Sequence, residues 1–403
     1  MDTRMRFLVI LIATLIAGCG GGGGDGAGGS AGPVPTPSNY APFALGSCPP
    51  PAAPPPSPAG SIGAIVDGLV VKEMQSQNLV GMTVGFAMQG KLVYSQAYGY
   101  ADVNGCVPMQ SDSQFEIGSI TKTFTAAAIL QLQSTGALDL DSPVITYLPD
   151  YPFDPRLTLR MLLNQISGLA DYINDQTAFP QNGTWQTQGV ADQTVLMAIA
   201  QAPLQFPLGA APVPGSTYHY SNSNYFVLGS ILEVVSSESY PDYLAANILG
   251  PLGLLHTSYT RPLTGAVPYV ISPTEAPFPA PTFPVSVAFA AGALWSDVQD
   301  LATFDAALFS AQVLPGTQFT EMVTPPPAPP GTQYAMGWVS EPQLNRPFVF
   351  HNGGTYGSNA YNGLFLDNGF SISILTNARP SSDISVFANQ VIQAVCTSPA
   401  TTC

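Results

Sequence analysis

Ser119 and Lys122 are the side chains of this sequence best suited to nucleophilic chemistry. They lie three residues apart in the stretch FEIGSITKTFT, residues 115–125, which leads into a helix-forming run. If Ser119 opens that helix, Lys122 lies one turn away on the same face, and the hydroxyl sits at the positive end of the helix dipole. A serine needs a neighbour to take its proton, and a buried lysine can do so because burial disfavours the ammonium form. An N-cap serine followed by a solvated lysine would give the same pattern.

A second candidate pair is Tyr220 and Asn222, in the stretch YHYSNSNY, residues 218–225. The stretch precedes a predicted helix, and two side chains at this spacing on a loop that ends at a helix can point into one cleft. Beside a cation, a tyrosine hydroxyl can share the serine proton. An asparagine amide donates and accepts at once, which suits holding a substrate amide. The alternative is that the stretch only caps and packs the helix.

The third candidate is His351-Asn352-Gly353-Gly354, at the end of a predicted strand. Glycines let a backbone approach a ligand closely, and a free strand N–H can stabilise an oxyanion. A turn with an incidental histidine is the other interpretation, since Asn-Gly is ordinary turn chemistry.

Apolar periodicity and turn residues predict an α/β chain whose sheet is built from both ends. The middle, residues 123–290, is mostly helical, so we predict an inserted all-α region with the site in the cleft between the two parts. The predicted strands are residues 80–88, 92–98, 334–339, 348–351, 359–366 and 370–376. One predicted helix starts near residue 61, and the others lie around residues 157–163, 190–200, 225–235, 240–248 and 384–395.

Together and in this order, the three fragments resemble those of the penicillin-recognising serine hydrolases, in the branch of class C β-lactamases, D-alanyl-D-alanine carboxypeptidases and related esterases. They are similar to the S-x-x-K, Y-x-N and K/H-x-G elements of that family. The phrase MLLNQISGLADY, residues 161–172, is also similar, and the resemblance covers residues 61–395. It implies a β-lactamase/DD-peptidase-like fold, with an antiparallel sheet flanked by terminal helices and an inserted all-α region. It also implies that no metal or organic cofactor is used.

The resemblance implies a role for each matching side chain. Ser119 is the acylated nucleophile, and Lys122 and Tyr220 form the pair that shuttles its proton. Asn222 orients the acyl side chain of the substrate, and His351 supports the hydroxyl network.

The same resemblance implies an oxyanion site beside Gly353, formed by the backbone N–H groups of Ser119 and Gly354. One departure matters. Class C β-lactamases usually carry Lys-Thr-Gly where this chain has His351-Asn352-Gly353, and a neutral imidazole attracts a carboxylate less than an ammonium does. The departure favours a peptidase or an esterase over a dedicated β-lactamase. Arg379 is then the best candidate to bind a substrate carboxylate.

The N-terminal residues indicate export and lipidation. Arg4 and Arg6 precede an apolar run, residues 7–17, typical of a secretory signal. The run ends in LIAGC, which resembles the bacterial lipobox, so we expect a lipid on Cys19 and a membrane anchor. Gly20 in place of Asp favours the outer membrane, with the protein facing the periplasm. The net charge of −15 argues against a nucleic-acid partner.

The sequence therefore divides into a signal peptide (residues 1–18), a Gly/Pro-rich tether (19–60), a hydrolase domain (61–396) and a C-terminal tail (397–403). The cysteines beyond Cys19 allow two disulfides in three possible pairings. These cysteines are Cys48, Cys106, Cys396 and Cys403, and none belongs to a C-x-x-C pair or Cys/His cluster that would suggest a metal site. The oligomeric state cannot be read from the sequence.

The leading hypothesis is an acyl-serine hydrolase that cleaves a small-molecule or peptide ester or amide, with β-lactam hydrolysis as the alternative reaction. A lipoprotein that keeps the fold and only binds or scaffolds is an alternative of another class. An α/β-hydrolase triad would have His219, His256 or His351 as its base, but the sole G-x-S-x-G match, residues 28–32, lies in a glycine tract without a strand and a helix around it.

Overall fold

The computed structural model describes residues 48, 61–206, 218–271, 276–281, 283–327, 332–380, 382–399 and 403. The predicted signal peptide, Cys19 and nearly all of the tether lie outside the described residues. The strands are β1 (Gly81–Met88), β2 (Lys91–Asp102), β3 (Val107–Pro108), β4 (Phe115–Glu116), β5 (Tyr269–Val270), β6 (Phe278–Pro279), β7 (Trp295–Ser296), β8 (Val339–Ser340), β9 (Phe348–Gly354), β10 (Asn359–Phe365) and β11 (Phe370–Thr376). The α-helices are α1 (Ile62–Gln77), α2 (Thr121–Ser134), α3 (Leu159–Leu163), α4 (Asn182–Gln188), α5 (Asp192–Gln201), α6 (Asn222–Ser236), α7 (Tyr240–Leu244), α8 (Gly250–Leu252), α9 (Val285–Gly292), α10 (Val298–Phe309), α11 (Gly316–Val323) and α12 (Ile384–Cys396).

The main sheet has seven antiparallel strands in the order β3-β2-β1-β11-β10-β9-β8. The first hairpin therefore pairs with the last strand, and Val84 of β1 lies opposite Ile374 of β11. This confirms that the sheet is built from both ends of the chain. The predicted α/β fold class, an antiparallel sheet with terminal helices, is confirmed as well.

Each face of the sheet covers its own hydrophobic core, because neighbouring strand residues point to opposite sides. On one face, Val84 and Ile374 pack with Val66 of α1 and Val391 of α12. The other face carries small residues where α10 crosses it. A Cβ on Gly85, for example, would lie 2.8 Å from the Cβ of Val298. The second core lies on that side, between the sheet and the helices of the middle region.

Four features of the structure differ from the sequence-based predictions. Residues 334–339 form a tight turn that pairs Tyr334 only with Val339, because Gly337 adopts a left-handed φ of 84° close to the carbonyl of Lys122. The strand predicted to end at His351 runs on to Gly354. The middle region is not purely helical, since it holds β5 and β6, and helices α10 and α11 beyond it were missed.

The four described cysteines form two disulfides, Cys48–Cys106 and Cys396–Cys403. The first ties the predicted tether to the segment after β2, and the second ties the predicted tail to the end of α12. Among the residues described, no helix has both the length and the apolar character needed to cross a bilayer.

A carboxyl group is buried between α10 and the sheet. Asn362 Nδ2 donates to both oxygens of Asp305, at 2.9 and 3.0 Å, and Ser373 Oγ donates to Asn362 Oδ1 at 2.7 Å. No Lys, Arg or His of the described ranges forms a salt bridge with Asp305. Burial raises the pKa of Asp305 from 3.8 to about 8, so the group is mostly protonated at neutral pH.

Asp305→Asn should remove a pH dependence of stability. Between pH 3.8 and about 8 the native state holds a proton that the unfolded state releases. Asp305 therefore lowers the free energy of unfolding by up to about 1.4 kcal/mol for each unit that the pH rises through this window. The free energy of unfolding is measured in urea from pH 5 to pH 8. As the pH rises, that of the variant should increase relative to that of the wild type. The exposed Asp242→Asn is the matched control, and a pH-independent difference for Asp305→Asn would contradict the prediction.

Candidate active site

Ser119 lies in a 3₁₀ turn, Gly118–Ile120, between β4 and α2. The helix begins at Thr121, so Ser119 precedes it rather than opening it. Gly118 has φ of 50°, and a Cβ there would lie 2.7 Å from the backbone nitrogen of Gly354. Only glycine combines this conformation with so close a neighbour, and the turn thereby brings the Ser119 backbone against the end of β9.

Lys122 is completely buried in the first turn of α2. Its Nζ lies 2.9 Å from Ser119 Oγ and donates to Asn222 Oδ1 at 2.9 Å and to the carbonyl of Ala291 at 2.7 Å. Burial lowers the pKa of Lys122 to about 7, and the negative charge of Asp171 opposes that shift. As a free amine, Lys122 has two N–H groups for the two carbonyl oxygens, so its lone pair is left facing the serine hydroxyl.

Asn222 is the first residue of α6, and both ends of its amide are bound within the protein. Its Oδ1 accepts from Lys122, and its Nδ2 donates to the two carboxylate oxygens of Asp171, at 3.0 and 3.3 Å. The amide therefore links the lysine to a buried carboxylate. These contacts position Lys122, and the implied role of Asn222 in orienting the substrate stays a prediction.

Two groups that hold Lys122 were missed at the sequence level. Asp171 lies in the phrase MLLNQISGLADY, where a single acid among mostly apolar residues was an available signal. Ala291 acts through its backbone carbonyl, which no side-chain pattern reveals. The carbonyl is presented by a kink in α9 at Phe289, a non-glycine residue with φ of 40° and ψ of −139°. Beside it, Thr125 Oγ1 donates to the carbonyl of Ala290 at 2.7 Å.

The Tyr220 loop is positioned by a buried glutamine, also missed. Gln165 has φ of 59°, accepts from the backbone N–H of Ser221 at 2.8 Å through Oε1, and accepts from that of His219 at 3.0 Å through its carbonyl. The loop brings the ring centroid of Tyr220 to 5.1 Å from Lys122 Nζ. The structure thus brings Lys122 and Tyr220, the pair that the resemblance implied, close together.

His351 is buried in β9 and is held in one tautomer. Nδ1 lies 2.5 Å from the carbonyl of Asn352, which can only accept, so Nδ1 carries the proton. Nε2 then accepts from the hydroxyl of Tyr334 at 3.1 Å. Burial and the neighbouring Lys122 lower the pKa of His351 to about 3, so the imidazole is neutral. Its ring centroid lies 6.3 Å from that of Tyr220.

The end of β9 forms the wall of the site opposite Asn222. β8 pairs only with Val349 and Phe350, so the edge of β9 beyond them is open and lies against the serine turn. A Cβ on Gly353 would lie 1.9 Å from the carbonyl oxygen of Ile117 and 3.0 Å from the nitrogen of Ser119. The backbone of Gly353 is therefore packed closely against the serine turn, and this packing sets the distance between the predicted oxyanion donors, the backbone N–H groups of Ser119 and Gly354.

Arg379 lies beside the same strand end. Its guanidinium carbon is 3.8 Å from the place that a Cβ on Gly354 would take. Burial lowers the pKa of Arg379, and Asp383 opposes the shift. No described carboxylate forms a salt bridge with it.

The described histidines give no support to a Ser-His-Asp triad. Ser119 Oγ contacts the amine of Lys122, whereas His256 binds the buried Asp297, with Nδ1 and Oδ2 2.5 Å apart. Within the described ranges, no group of three or more His, Cys, Asp or Glu side chains is arranged to hold a metal ion.

The sequence model of the family described as Beta-lactamase matches residues 66–396, most of the chain. This chain belongs to the β-lactamase family. The resemblance drawn from its motifs is confirmed at the level of family and fold. Homologues with this β-lactamase fold are serine hydrolases.

The chain is similar to the following three proteins. Protein flp of Staphylococcus aureus strain N315 is 27% identical over 349 residues, which cover 80% of this chain and 62% of flp. The chain thus spans about 62% of the length of this curated relative. The D-stereospecific amidohydrolase from Streptomyces sp. is 28% identical with a TM-score of 0.68, covering 84% of this chain and 98% of that one. The octameric penicillin-binding protein homologue from Pyrococcus abyssi is 26% identical with a TM-score of 0.68, covering 81% and 76%.

Proposed function

We propose that this protein cleaves an ester or an amide through a covalent acyl-serine intermediate. The observation that carries the proposal is the environment of Lys122. A lysine with a pKa near 7 is 2.9 Å from a serine hydroxyl, while two fixed carbonyl oxygens bind its N–H groups. An amine held in this way is a general base for the serine at neutral pH.

The reaction follows from the positions of these groups. Lys122 takes the proton of Ser119 as Oγ attacks the acyl carbon, and the backbone N–H groups of Ser119 and Gly354 stabilise the oxyanion. Tyr220, beside the lysine, gives its proton to the departing alcohol or amine and takes in exchange the proton that Lys122 received from Ser119, so Lys122 is again a free base. Water then attacks the acyl-serine with the same base, which releases the acid and returns the proton to Ser119.

The substrate class is proposed from the third motif. His351 is neutral, so it offers no charge to a substrate carboxylate, and the chain is similar to a D-stereospecific amidohydrolase. Esters and amides of the D-peptide type are therefore the first proposed substrates, and β-lactams are the second. For substrates with a carboxylate, Arg379 beside Gly354 is the proposed partner.

We also propose that the protein is a lipid-anchored protein of the bacterial envelope, facing the periplasm and held in the outer membrane. The support is the lipobox-like sequence before Cys19 together with Gly20. The two disulfides fit an oxidising compartment.

The acyl-serine intermediate should be trapped on Ser119. A fluorophosphonate and a fluorescent penicillin are each incubated with the wild-type protein, with Ser119→Ala, and with Ser134→Ala as a matched control on α2. Label from at least one probe should appear on the wild type and the control and be absent from Ser119→Ala, with peptide mass spectrometry placing it on residue 119. An adduct on another side chain would refute the assignment, and no label from either probe would favour the scaffold alternative.

A further inference from the structure

One hydrogen bond joins the two walls of the candidate site. The hydroxyl of Tyr356, in the turn that follows β9, donates to Oε1 of Gln186 on α4. Burial raises the pKa of Tyr356 to about 12, so the phenol is protonated and able to donate. The ring of Phe283 packs on that of Tyr356, with centroids 5.4 Å apart.

The Tyr356 end is fixed to the nucleophile. Tyr356 comes two residues after Gly354, and its neighbour Thr355 donates through Oγ1 to Glu116 Oε2 at 2.6 Å. Glu116 is in β4, three residues before Ser119. The same hydroxyl of Thr355 accepts from the backbone N–H of Ser358 at 3.1 Å, which closes the turn. Tyr356 is therefore held in a fixed relation to the predicted oxyanion donors.

The Gln186 end is fixed to the opposite wall. Its Nε2 donates to the carbonyl of Ile173 at 2.7 Å, and Asn182 Nδ2 donates to the same carbonyl at 2.9 Å. The backbone N–H of Ile173 in turn donates to Asp171 Oδ1 at 3.0 Å. Asp171 is the carboxylate that holds Asn222, so Gln186 is tied to the wall that carries Asn222.

Gly354 lies against the turn that carries Ser119, and Asn222 binds Lys122, so the bond between Tyr356 and Gln186 links the segments on the two sides of these residues. We propose that the acyl group of the substrate lies on this side, between Gly354 and Asn222, where the side chains of Tyr356 and Gln186 form a latch that restricts the enzyme to short acyl groups. The latch deepens the proposed hydrolase function and rests on it. A long acyl chain must both break this hydrogen bond and displace a ring packed by Phe283.

The test compares short and long acyl chains on the full-length protein. The specificity constant kcat/KM is measured for p-nitrophenyl acetate and p-nitrophenyl octanoate in the wild type, Gln186→Ala and Tyr356→Phe. The wild type should prefer the acetate. The octanoate-to-acetate ratio should rise about tenfold in Gln186→Ala, which removes one whole arm of the latch, and severalfold in Tyr356→Phe, which removes only the hydroxyl.

Tyr94→Phe is the matched control, because it removes a tyrosine hydroxyl of β2 that donates to Asp67 of α1. Its ratio should equal that of the wild type. If the contact served stability alone, its loss would change kcat/KM for both substrates by the same factor and leave the octanoate-to-acetate ratio constant. A constant ratio in both latch variants, or a wild type that prefers octanoate, would overturn the latch while the hydrolase stands. No ester turnover together with no adduct on Ser119 would overturn the proposed function, and the latch with it.

Discussion

The Lys122→Met variant should hydrolyse a p-nitrophenyl ester about 10³-fold more slowly than the wild-type protein. Methionine fills the buried space but cannot accept the proton of Ser119, and a positioned general base contributes about 10²- to 10⁴-fold to such a reaction. Stopped or continuous assays of kcat/KM measure the loss. Lys91→Met is the control, since Lys91 is exposed at the hairpin end of the sheet.

The same lysine sets the expected pH profile of the wild type. Only the free amine can act as the base, and the pKa of Lys122 is lowered to about 7. The logarithm of kcat/KM should therefore rise with pH below about 7 and level off above it. A profile that is flat or falls between pH 5 and pH 8, or a Lys122→Met variant within tenfold of the wild type, would remove the lysine from its proposed role.

Gly353→Ala should be the most damaging single methyl addition in the site. The new Cβ would lie 1.9 Å from the carbonyl oxygen of Ile117 and 3.0 Å from the nitrogen of Ser119. Both neighbours are backbone atoms, so β9 must move away from the serine turn. The movement separates the two oxyanion donors, and losing one such donor costs about 10²- to 10³-fold in kcat. Overpacking should also lower the free energy of unfolding by about 1 to 3 kcal/mol.

Kinetic assays and urea unfolding of Gly353→Ala measure the two effects. Gly316→Ala is the matched control, because a Cβ at the start of α11 meets no atom within 4 Å. Activity within threefold of the wild type in Gly353→Ala would show that Gly354 does not contribute an oxyanion donor.

The parts of the fold that could be predicted depend on local sequence. The first hairpin turns at Gln89-Gly90, where both residues adopt a positive φ, and Ser119 and Lys122 are three residues apart on one short segment. Two strand patterns joined by the hairpin signal Asp367-Asn368-Gly369 also located β10 and β11. Contacts between residues that are distant in the chain were harder to predict. The extension of β9 to Gly354 depends on its pairing with Asn359 of β10, not on the Asn-Gly dipeptide, which favours a turn.

The supports of the candidate site were the least predictable part. Asp171 acts through Asn222, Gln165 through the backbone of the Tyr220 loop, and Ala291 through a carbonyl turned inward at Phe289. None of these contacts follows a spacing rule, since each joins segments at least 50 residues apart. The roles assigned to Ser119 and Tyr220 stay predictions until the trapping and kinetic experiments are done.

The bridge between Cys48 and Cys106 has a consequence for proteolysis. It spans 58 residues that include α1 and the first hairpin. A cross-link over that length reduces the entropy of the unfolded chain and so raises its free energy by about 4 kcal/mol. A protease that cuts between residues 49 and 60 would break the backbone, yet everything upstream of Cys48 would still be covalently attached to the sheet through sulfur. Release of the folded part from the proposed lipid anchor on Cys19 by such a cut therefore requires a reductant as well as a protease.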